Sequence, residues 1–270
     1  MTRPFNVHKR NPAAWRVKID HPPINAITDS MYDAFFDLIG EIETDPDLKI
    51  VIFESANPDF FIAHYSTAES RSRFGTPPWI EAAKRLQTSS VVSVATIRGR
   101  VRGGGNEFIL ACDVRFASRE KAIFGQPEVG TGLIPGGGAL ERLPLLVGRS
   151  RAIEIILGSN DFDAETAERY GWINRALKDS ALDSFVDTFE RRIAAFDKQA
   201  LTAAKAIVNN VGLPNPTQLQ TTQDLFFKTF GWQGARERAP KLRELGIGQA
   251  GDFELNLGCE LEKLAPLERK

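Results

Sequence analysis

The chain has 270 residues, of which 42% are hydrophobic and 26% are charged. This mixture is typical of a soluble globular protein, and the length permits one large domain or two smaller ones. The net charge of −1 excludes the strongly basic surface that general binding to nucleic acid or to an anionic membrane requires. We therefore expect neither nucleic acid nor membrane among the partners.

The cysteine and terminal patterns indicate a cytoplasmic protein. Cys112 and Cys259 are far apart and form no Cys-x-x-Cys pair, so neither a disulfide framework nor a thiolate metal site is expected. The first residues lack the apolar run of a signal peptide, and no apolar stretch approaches the ~20 residues that cross a bilayer. The three histidines show no metal-ligand spacing, and we expect no metal.

Hydrophobic periodicity predicts alternating strands and helices in the first part of the chain. Trp15, Val17 and Ile19 alternate with polar residues, which is the pattern of a half-buried strand. Two consecutive prolines, Pro77 and Pro78, are suited to the start of a helix. The predicted elements in order are a strand from residue 14, a helix over residues 31–43, a strand over residues 49–53, a helix from residue 79 and a strand over residues 91–97.

The rest of the chain carries two glycine-rich segments and then becomes mainly helical. From about residue 179, Phe185, Phe189 and Ile193 recur on one helical face, and further helices are predicted near residues 200–208 and 217–230. The alternation of strands and helices favours an α/β fold. We expect an α/β core over residues 1–195 and a helical region over residues 196–270 that serves in oligomer assembly or covers the site.

Two familiar motifs are present only in part. Residues 246–251 match GxGxxG, but they follow a charged helical segment instead of a strand, which favours a loop after a helix over a dinucleotide site. Residues 148–152 resemble a nucleophile elbow, but the second glycine is missing and no histidine follows in the chain. Neither motif supports a function.

Residues 99–138 form the segment that is richest in chemistry. Gly103, Gly104 and Gly105 follow a strand and precede a helical run, so that backbone N–H groups at the helix start are free to meet a ligand. This arrangement is suited to an oxyanion hole. Glu107 lies in the first turn of that helix, and Glu128 follows a proline. Each glutamate alone is more often a helix-terminal or loop acid, but two carboxyls in one pocket can act as acid and base.

Several motifs in this order resemble the enoyl-CoA hydratase/isomerase, or crotonase, superfamily. The resemblance covers roughly residues 10–195 and implies a crotonase-type spiral of ββα units with a C-terminal helical region, assembled as a homotrimer or a dimer of trimers. The matching segments are GGGNE at residues 103–107, Cys112-Asp113, FGQPE at residues 124–128 and IPGGG at residues 134–138, with flanking matches at residues 23–26, 147–149 and 164–171.

The resemblance also implies a reaction, the hydration of a trans-2-enoyl-CoA to a 3-hydroxyacyl-CoA. The backbone N–H groups of Tyr65 and Gly104 would bind the thioester oxygen. Glu107 would activate water, and Glu128 would protonate the α-carbon. Coenzyme A would be part of the acyl-CoA substrate, and no further cofactor is implied. Four further residues are implied in substrate binding: Ala63, His64, Gly103 and Gly136.

Some residues depart from the superfamily pattern and leave alternatives open. His64 replaces a glycine and Ser66 an aspartate, while Arg102 stands where a small or aliphatic residue is common. His64 is either a structural histidine or a pocket acid or base, and Arg102 is either a solvated arginine or part of the site. Isomerisation, thioester hydrolysis and decarboxylation therefore remain alternatives, as does a non-catalytic scaffold. Residues 70–78, with Arg71 or Arg73, either cover the ligand or form a solvated loop.

Overall fold

The computed structural model describes residues 4–66 and 72–264, which form two β-sheets surrounded by helices. One sheet has six strands in the order β1-β2-β3-β5-β7-β10, and the other has four in the order β4-β6-β8-β9. The strands are β1 (Phe5–Asn11), β2 (Ala14–Ile19), β3 (Ile50–Ser55), β4 (Phe60–Ile62), β5 (Val92–Ile97), β6 (Arg100–Arg102), β7 (Val114–Ser118), β8 (Ile123–Gly125), β9 (Asp161–Asp163) and β10 (Arg175–Leu177).

The helices fill the connections and form the C-terminal region. They are α1 (Asp29–Thr44), α2 (Trp79–Thr88), α3 (Gly104–Ala111), α4 (Glu128–Thr131), α5 (Ala139–Val147), α6 (Arg149–Gly158), α7 (Ala164–Tyr170), α8 (Asp179–Ala195), α9 (Lys198–Gly212), α10 (Pro216–Thr229), α11 (Gln233–Leu245), α12 (Asp252–Leu255) and α13 (Leu257–Leu261). None of these helices is both long and apolar enough to cross a membrane. The predicted α/β fold class is confirmed.

The six-stranded sheet is parallel except for β1, which pairs antiparallel with β2. Its central strands β3 and β5 are buried on both faces and mostly apolar, as expected for parallel strands covered by helices on both sides. One face packs on α1, α2 and α3 through an aromatic cluster, in which the Phe108 ring lies 5.1 Å from the rings of both Phe35 and Phe53. This cluster fixes α3 against the sheet.

The other face of the same sheet is covered by α8. Leu182 and Val186 are fully buried there, and the Phe185 and Phe189 rings lie 5.0 and 5.4 Å from the ring of Phe116 on β7. The helical face predicted from residue 179 onward is therefore confirmed, and its partner is the sheet of the same chain.

The small sheet brings the candidate site together. Strands β4, β6 and β8 are parallel, so their carboxyl ends lie at the same edge. The chain leaving these ends carries, in turn, residues 63–65, residues 103–107 and residues 126–128. Segments that are up to about sixty residues apart therefore converge at the strand ends, where ligands of α/β proteins usually bind.

The helices after residue 196 pack back on the α/β body. Lys205 of α9 donates hydrogen bonds to Asp113 and to the carbonyl oxygen of Val91, both at 2.7 Å. The side chain of Phe226 on α10 lies against Gly136. The loop at residues 246–251 follows α11, as predicted for a loop after a helix. The division into a core and a helical region at residue 195 stays a prediction.

The junction between β4 and α3 offers a test of this packing. A methyl group at Gly105 would overlap the carbonyl oxygen of Ile62, so Gly105→Ala should lower the free energy of unfolding by about 1–3 kcal/mol. Gly158 in α6 has no atoms within 4 Å of the same methyl position, so Gly158→Ala should leave stability unchanged or raise it slightly. Urea unfolding of both variants measures this difference in stability. Equal midpoints would contradict the close approach of Gly105 to the carbonyl oxygen of Ile62.

Candidate active site

A small cavity lies where the loops that follow β4, β6 and β8 meet α10. Its volume is about 30 Å³, which is room for one or two water molecules. Glu107 and Glu128 face it together, and its remaining wall is mostly aromatic, with Tyr32, Trp79 and Phe226 among the lining side chains. The structure therefore brings together the two carboxyls that the sequence singles out.

Glu107 is placed by the loop that follows residue 134. It lies in the first turn of α3 and is 4% exposed. Its Oε1 accepts hydrogen bonds from the backbone N–H groups of Gly137, at 2.6 Å, and Ala139, at 3.2 Å. A methyl group at Gly137 would overlap Glu107 Oε2 and the Trp79 ring nitrogen, so only glycine leaves room for this carboxyl. The two donated bonds favour the carboxylate form.

Glu128 is oriented by a buried chain of side-chain hydrogen bonds. The Trp172 indole N–H donates to Asn106 Oδ1 at 2.9 Å, Asn106 Nδ2 donates to Gln126 Oε1 at 2.6 Å, and Gln126 Nε2 donates to Glu128 Oε2 at 3.0 Å. An indole nitrogen can only donate, so it fixes the orientation of both amides. Glu128 Oε2 therefore accepts a hydrogen bond, and Oε1 is left to face Gly103, where an added methyl group would lie 2.6 Å away.

The two carboxyls affect each other's ionisation. Burial raises the pKa of Glu107, and the negative charge of Glu128 raises it further. Burial also raises the pKa of Glu128, whereas the hydrogen bond from Gln126 and the positive charge of His64 lower it. The pair titrates together, because like charges in one cavity resist joint ionisation. Near neutral pH the pair can therefore both accept and release a proton.

Two backbone amides lie side by side next to these carboxyls. A methyl group at Gly104 would be 3.2 Å from the nitrogen of Tyr65, so the start of α3 and the end of the β4 loop are in contact. Neither N–H donates a hydrogen bond to another of the described residues. Gly103 has a φ of +49° at the N-cap of α3, a conformation that glycine adopts readily. Both N–H groups are therefore free to donate to an acceptor oxygen of a ligand.

The Tyr65 side chain is turned away from the carboxyls. Its hydroxyl donates to Asp29 Oδ1 at 2.7 Å, and burial together with this bond raises the pKa of the phenol. Its ring stacks on Tyr32 at 5.7 Å and meets the edge of Phe226 at 6.0 Å. The Tyr65 phenol therefore stays neutral near neutral pH and does not act as an acid there.

His64 and Arg102, two of the departures from the superfamily pattern, are both held in polar contacts. The His64 ring lies between Glu254, at 2.7 Å from Nε2, and the carbonyl oxygen of Tyr65, at 3.0 Å from Nδ1. Arg102 is 1% exposed and forms two hydrogen bonds to the Asp161 carboxylate, at 2.7 and 2.6 Å. The solvated interpretation of Arg102 is therefore wrong, because the sequence gives no sign of its distant partner.

Of the remaining predicted residues that the structure describes, only Gly136 lines the cavity. Ala63 is buried at the end of β4, and Gly136 lies in the cavity wall under the Phe226 ring. Arg73 forms a surface ion pair with Asp37, whereas Arg71 lies outside the described residues. In residues 4–66 and 72–264 no group of three or more histidine, cysteine or acidic side chains is arranged to hold a metal ion.

A model of the enoyl-CoA hydratase/isomerase family matches residues 9–240. The chain belongs to the enoyl-CoA hydratase/isomerase family. Short-chain-enoyl-CoA hydratase of Clostridium acetobutylicum is 31% identical over 201 residues, which are 72% of this chain and 76% of that protein. A crystal structure of a candidate enoyl-CoA hydratase from Streptomyces avermitilis superimposes with a TM-score of 0.93 at 37% identity, covering 97% of this chain and 98% of that one.

A third similar protein is the enoyl-CoA hydratase of Geobacillus kaustophilus, a solved structure that is 26% identical with a TM-score of 0.73. The match covers 90% of this chain and 95% of the Geobacillus chain. The predicted membership of the crotonase superfamily and the crotonase-type fold are confirmed. Members of this family differ in the reaction they catalyse, so the choice of reaction depends on the site itself.

Sequence reasoning missed the residues that support the glutamates in this family member. Gln126 stands inside the FGQPE motif, and its amide next to an acid was a signal that could have been used. Trp172 and Glu254 are distant in sequence, and no local pattern connects them with the site.

Infrared spectra can test the shared ionisation of the pair. An ordinary aspartate or glutamate has a pKa near 4, whereas the pKa is raised to about 7 for Glu128 and about 8 for Glu107. We expect absorption from protonated carboxyl groups to persist at pH 6 and to disappear as the pH rises through these values. In Glu128→Gln the remaining transition should move to lower pH, because Glu107 loses a negative neighbour.

The matched control for the infrared experiment is Glu81→Gln, which removes an exposed glutamate of α2. This variant should leave the band unchanged. A wild-type spectrum with no protonated carboxyl at pH 6 would contradict the buried pair.

Proposed function

We propose that this protein hydrates a trans-2-enoyl-CoA to the corresponding 3-hydroxyacyl-CoA. The observation that carries the proposal is the pair Glu107 and Glu128 around one water-sized cavity, next to two adjacent free N–H groups. Family membership and the hydratase relatives support the same reaction class. A pure scaffold has no need for a buried and a half-buried carboxyl with raised pKa values in one cavity.

The oxyanion hole would act first. The thioester oxygen would accept hydrogen bonds from the N–H groups of Tyr65 and Gly104, which draws electrons from the conjugated double bond and makes the β-carbon electrophilic. As water adds, negative charge passes to this oxygen as an enolate. Both donors are fixed backbone groups, so they need no reorganisation during the reaction.

The two glutamates would divide the proton transfers. The two carboxyls share one proton, and in the reacting state Glu107 is the ionised member, with its charge stabilised by the amides of Gly137 and Ala139. It takes a proton from water while the water oxygen bonds to the β-carbon. Protonated Glu128 gives its proton from Oε1 to the α-carbon, and the enolate returns to a thioester. The buried amide of Gln126 fixes the other oxygen of Glu128. After turnover Glu107 is protonated and Glu128 is ionised. Proton exchange with solvent then restores the starting protonation state.

The aromatic wall limits the acyl group. The cavity has a volume of about 30 Å³, and the Phe226 side chain lies against Gly136 in its wall. A bulky ring this close to the carboxyls leaves more room for a short acyl chain than for a long one. We infer a preference for short enoyl chains.

Exposed apolar side chains support assembly with further copies of the chain. Ile207, Val208 and Val211 of α9 are between 68% and 91% exposed. Leu145 of α5 and Leu157 of α6 are each more than half exposed. Apolar patches of this kind mark interaction surfaces. A homotrimer or a dimer of trimers, as the family resemblance implies, is the proposed state.

The proposed hydration is tested by the loss of enoyl-thioester absorbance in a chain-length series of trans-2-enoyl-CoAs. We expect turnover that falls with chain length, and a loss of about 10²–10⁴ in kcat for Glu107→Gln. Folded wild-type protein that turns over no member of the series would overturn hydration and favour isomerisation, thioester hydrolysis or decarboxylation.

The oxyanion hole is tested by a matched pair of variants at the first residue of α3. Gly104→Pro removes the N–H at a helix position where proline is tolerated, whereas Gly104→Ala adds a side chain and keeps the N–H. We expect kcat to fall by a further factor of about 10²–10³ in the proline variant relative to the alanine variant. Equal rates in two folded variants would exclude Gly104 as a donor.

A further inference from the structure

The C-terminal region contacts the site through His64 and Arg102, two of the residues that depart from the superfamily pattern. His64 contacts the Glu254 carboxyl, and Arg102 donates to the carbonyl oxygens of Glu254, at 2.6 Å, and Leu255, at 3.3 Å. Arg100 also donates to the carbonyl oxygen of Leu255, at 2.8 Å. One short segment, residues 248–255, is therefore bound beside the catalytic loops by two separate sets of contacts.

The contacts of His64 determine its charge. Nδ1 faces a backbone carbonyl and Nε2 faces a carboxylate, and both of these groups are acceptors. A neutral imidazole has only one N–H, so two acceptors favour the imidazolium as long as Glu254 is ionised. Glu254 Oε1 also accepts the N–H of Gly248 at 2.6 Å, which favours the ionised carboxyl. The Glu254 side chain is fully buried, and its charge and bonds raise the pKa of His64 against the effect of burial.

His64 and Glu128 lie on two sides of Gly103. A methyl group at Gly103 would be 3.3 Å from His64 Cβ and 2.6 Å from Glu128 Oε1. The charged groups around the imidazole are Glu254 from α12 and Glu128 from α4, with Arg102 of β6 beside Glu254 and paired with Asp161. The peptide that joins His64 to Tyr65 supplies one of the two amides of the oxyanion hole.

We propose that Glu254 is a positioning residue that holds His64 as a cation at neutral pH, beside Glu128 and the oxyanion hole. The fixed positive charge makes Glu128 a stronger acid and stabilises the negative charge that develops on the enolate oxygen. The helical C-terminal region thereby contributes to the electrostatics of the site through a residue 190 positions from His64. The catalytic part of this inference rests on the proposed hydration, whereas the charge of His64 does not.

The charge of His64 is measured without substrate by NMR of the histidine ring nitrogens. The chain has three histidines, and His64→Gln assigns the signal. We expect an imidazolium pattern well above pH 6.5, the ordinary histidine value, and a decrease of about one unit or more in the His64 pKa in Glu254→Gln. A neutral ring at pH 7 in the wild type, or an unchanged pKa in Glu254→Gln, would overturn the inference.

The effect on catalysis is measured by the pH profile of kcat/KM for enoyl-CoA hydration. Without the cation the pKa of Glu128 rises, so the profile of Glu254→Gln should move to higher pH by about one unit. His64→Gln should cause the same shift, and the double variant should show no more than either single one.

The control for simple anchoring is Asp161→Asn. It removes the partner of Arg102, which holds the same C-terminal segment, but leaves the contact between His64 and Glu254 in place. This variant should not move the pH profile. Equal shifts in Asp161→Asn and Glu254→Gln would mean that the segment acts only as a structural anchor and would overturn the inference. If His64 is cationic but the protein hydrates no enoyl-CoA, the proposed reaction and the catalytic role of His64 are both contradicted. The inference about the charge of His64 would still hold.

Discussion

Two carboxyl groups that face one small, largely apolar cavity cannot both ionise without a large electrostatic cost, and much of this structure is arranged around that constraint. Glu107 is stabilised as an anion by two backbone N–H groups of the residue 137–139 loop, and Glu128 by a single amide. The cationic His64 lowers the energy of a negative charge on Glu128. The pair therefore keeps both an acid and a base available near neutral pH, as the addition of water across a double bond requires.

The same constraint explains why the site depends on glycine and on parallel strands. The carboxyls fit only because Gly103 and Gly137 have no side chains, and Gly104 can approach the backbone of Tyr65 closely because it also has none. Three short strands that end at one edge supply these segments, and the aromatic core beneath α3 fixes their positions. Departures from the family pattern are tolerated where a new partner balances the buried charge, as with Arg102 and Asp161.

Much of the fold and the central part of the site are predictable from the sequence, because both depend on local patterns. Apolar runs define the buried parallel strands, and the glycine-rich segments identify Glu107 and Glu128. Strand β1 was missed because its outer residues are polar and it gains its pairing only from β2. The roles of Trp172 and Glu254 were not predictable, since each acts through a contact that joins residues 66 or more positions apart. The buried state of Arg102 depends on a partner on β9 and escapes local reasoning for the same reason.

Isotope incorporation tests the central claim most directly. Hydration of a short trans-2-enoyl-CoA in a mixture of D₂O and ¹⁸O-labelled water should give a product with one ¹⁸O at the β-carbon and one deuterium at the α-carbon, detected by mass spectrometry. Both labels should be lost together in Glu107→Gln and in Glu128→Gln. Deuterium without ¹⁸O would indicate isomerisation, and ¹⁸O in a free carboxylate would indicate thioester hydrolysis. Either result would contradict the assignment of this glutamate pair to the addition of water.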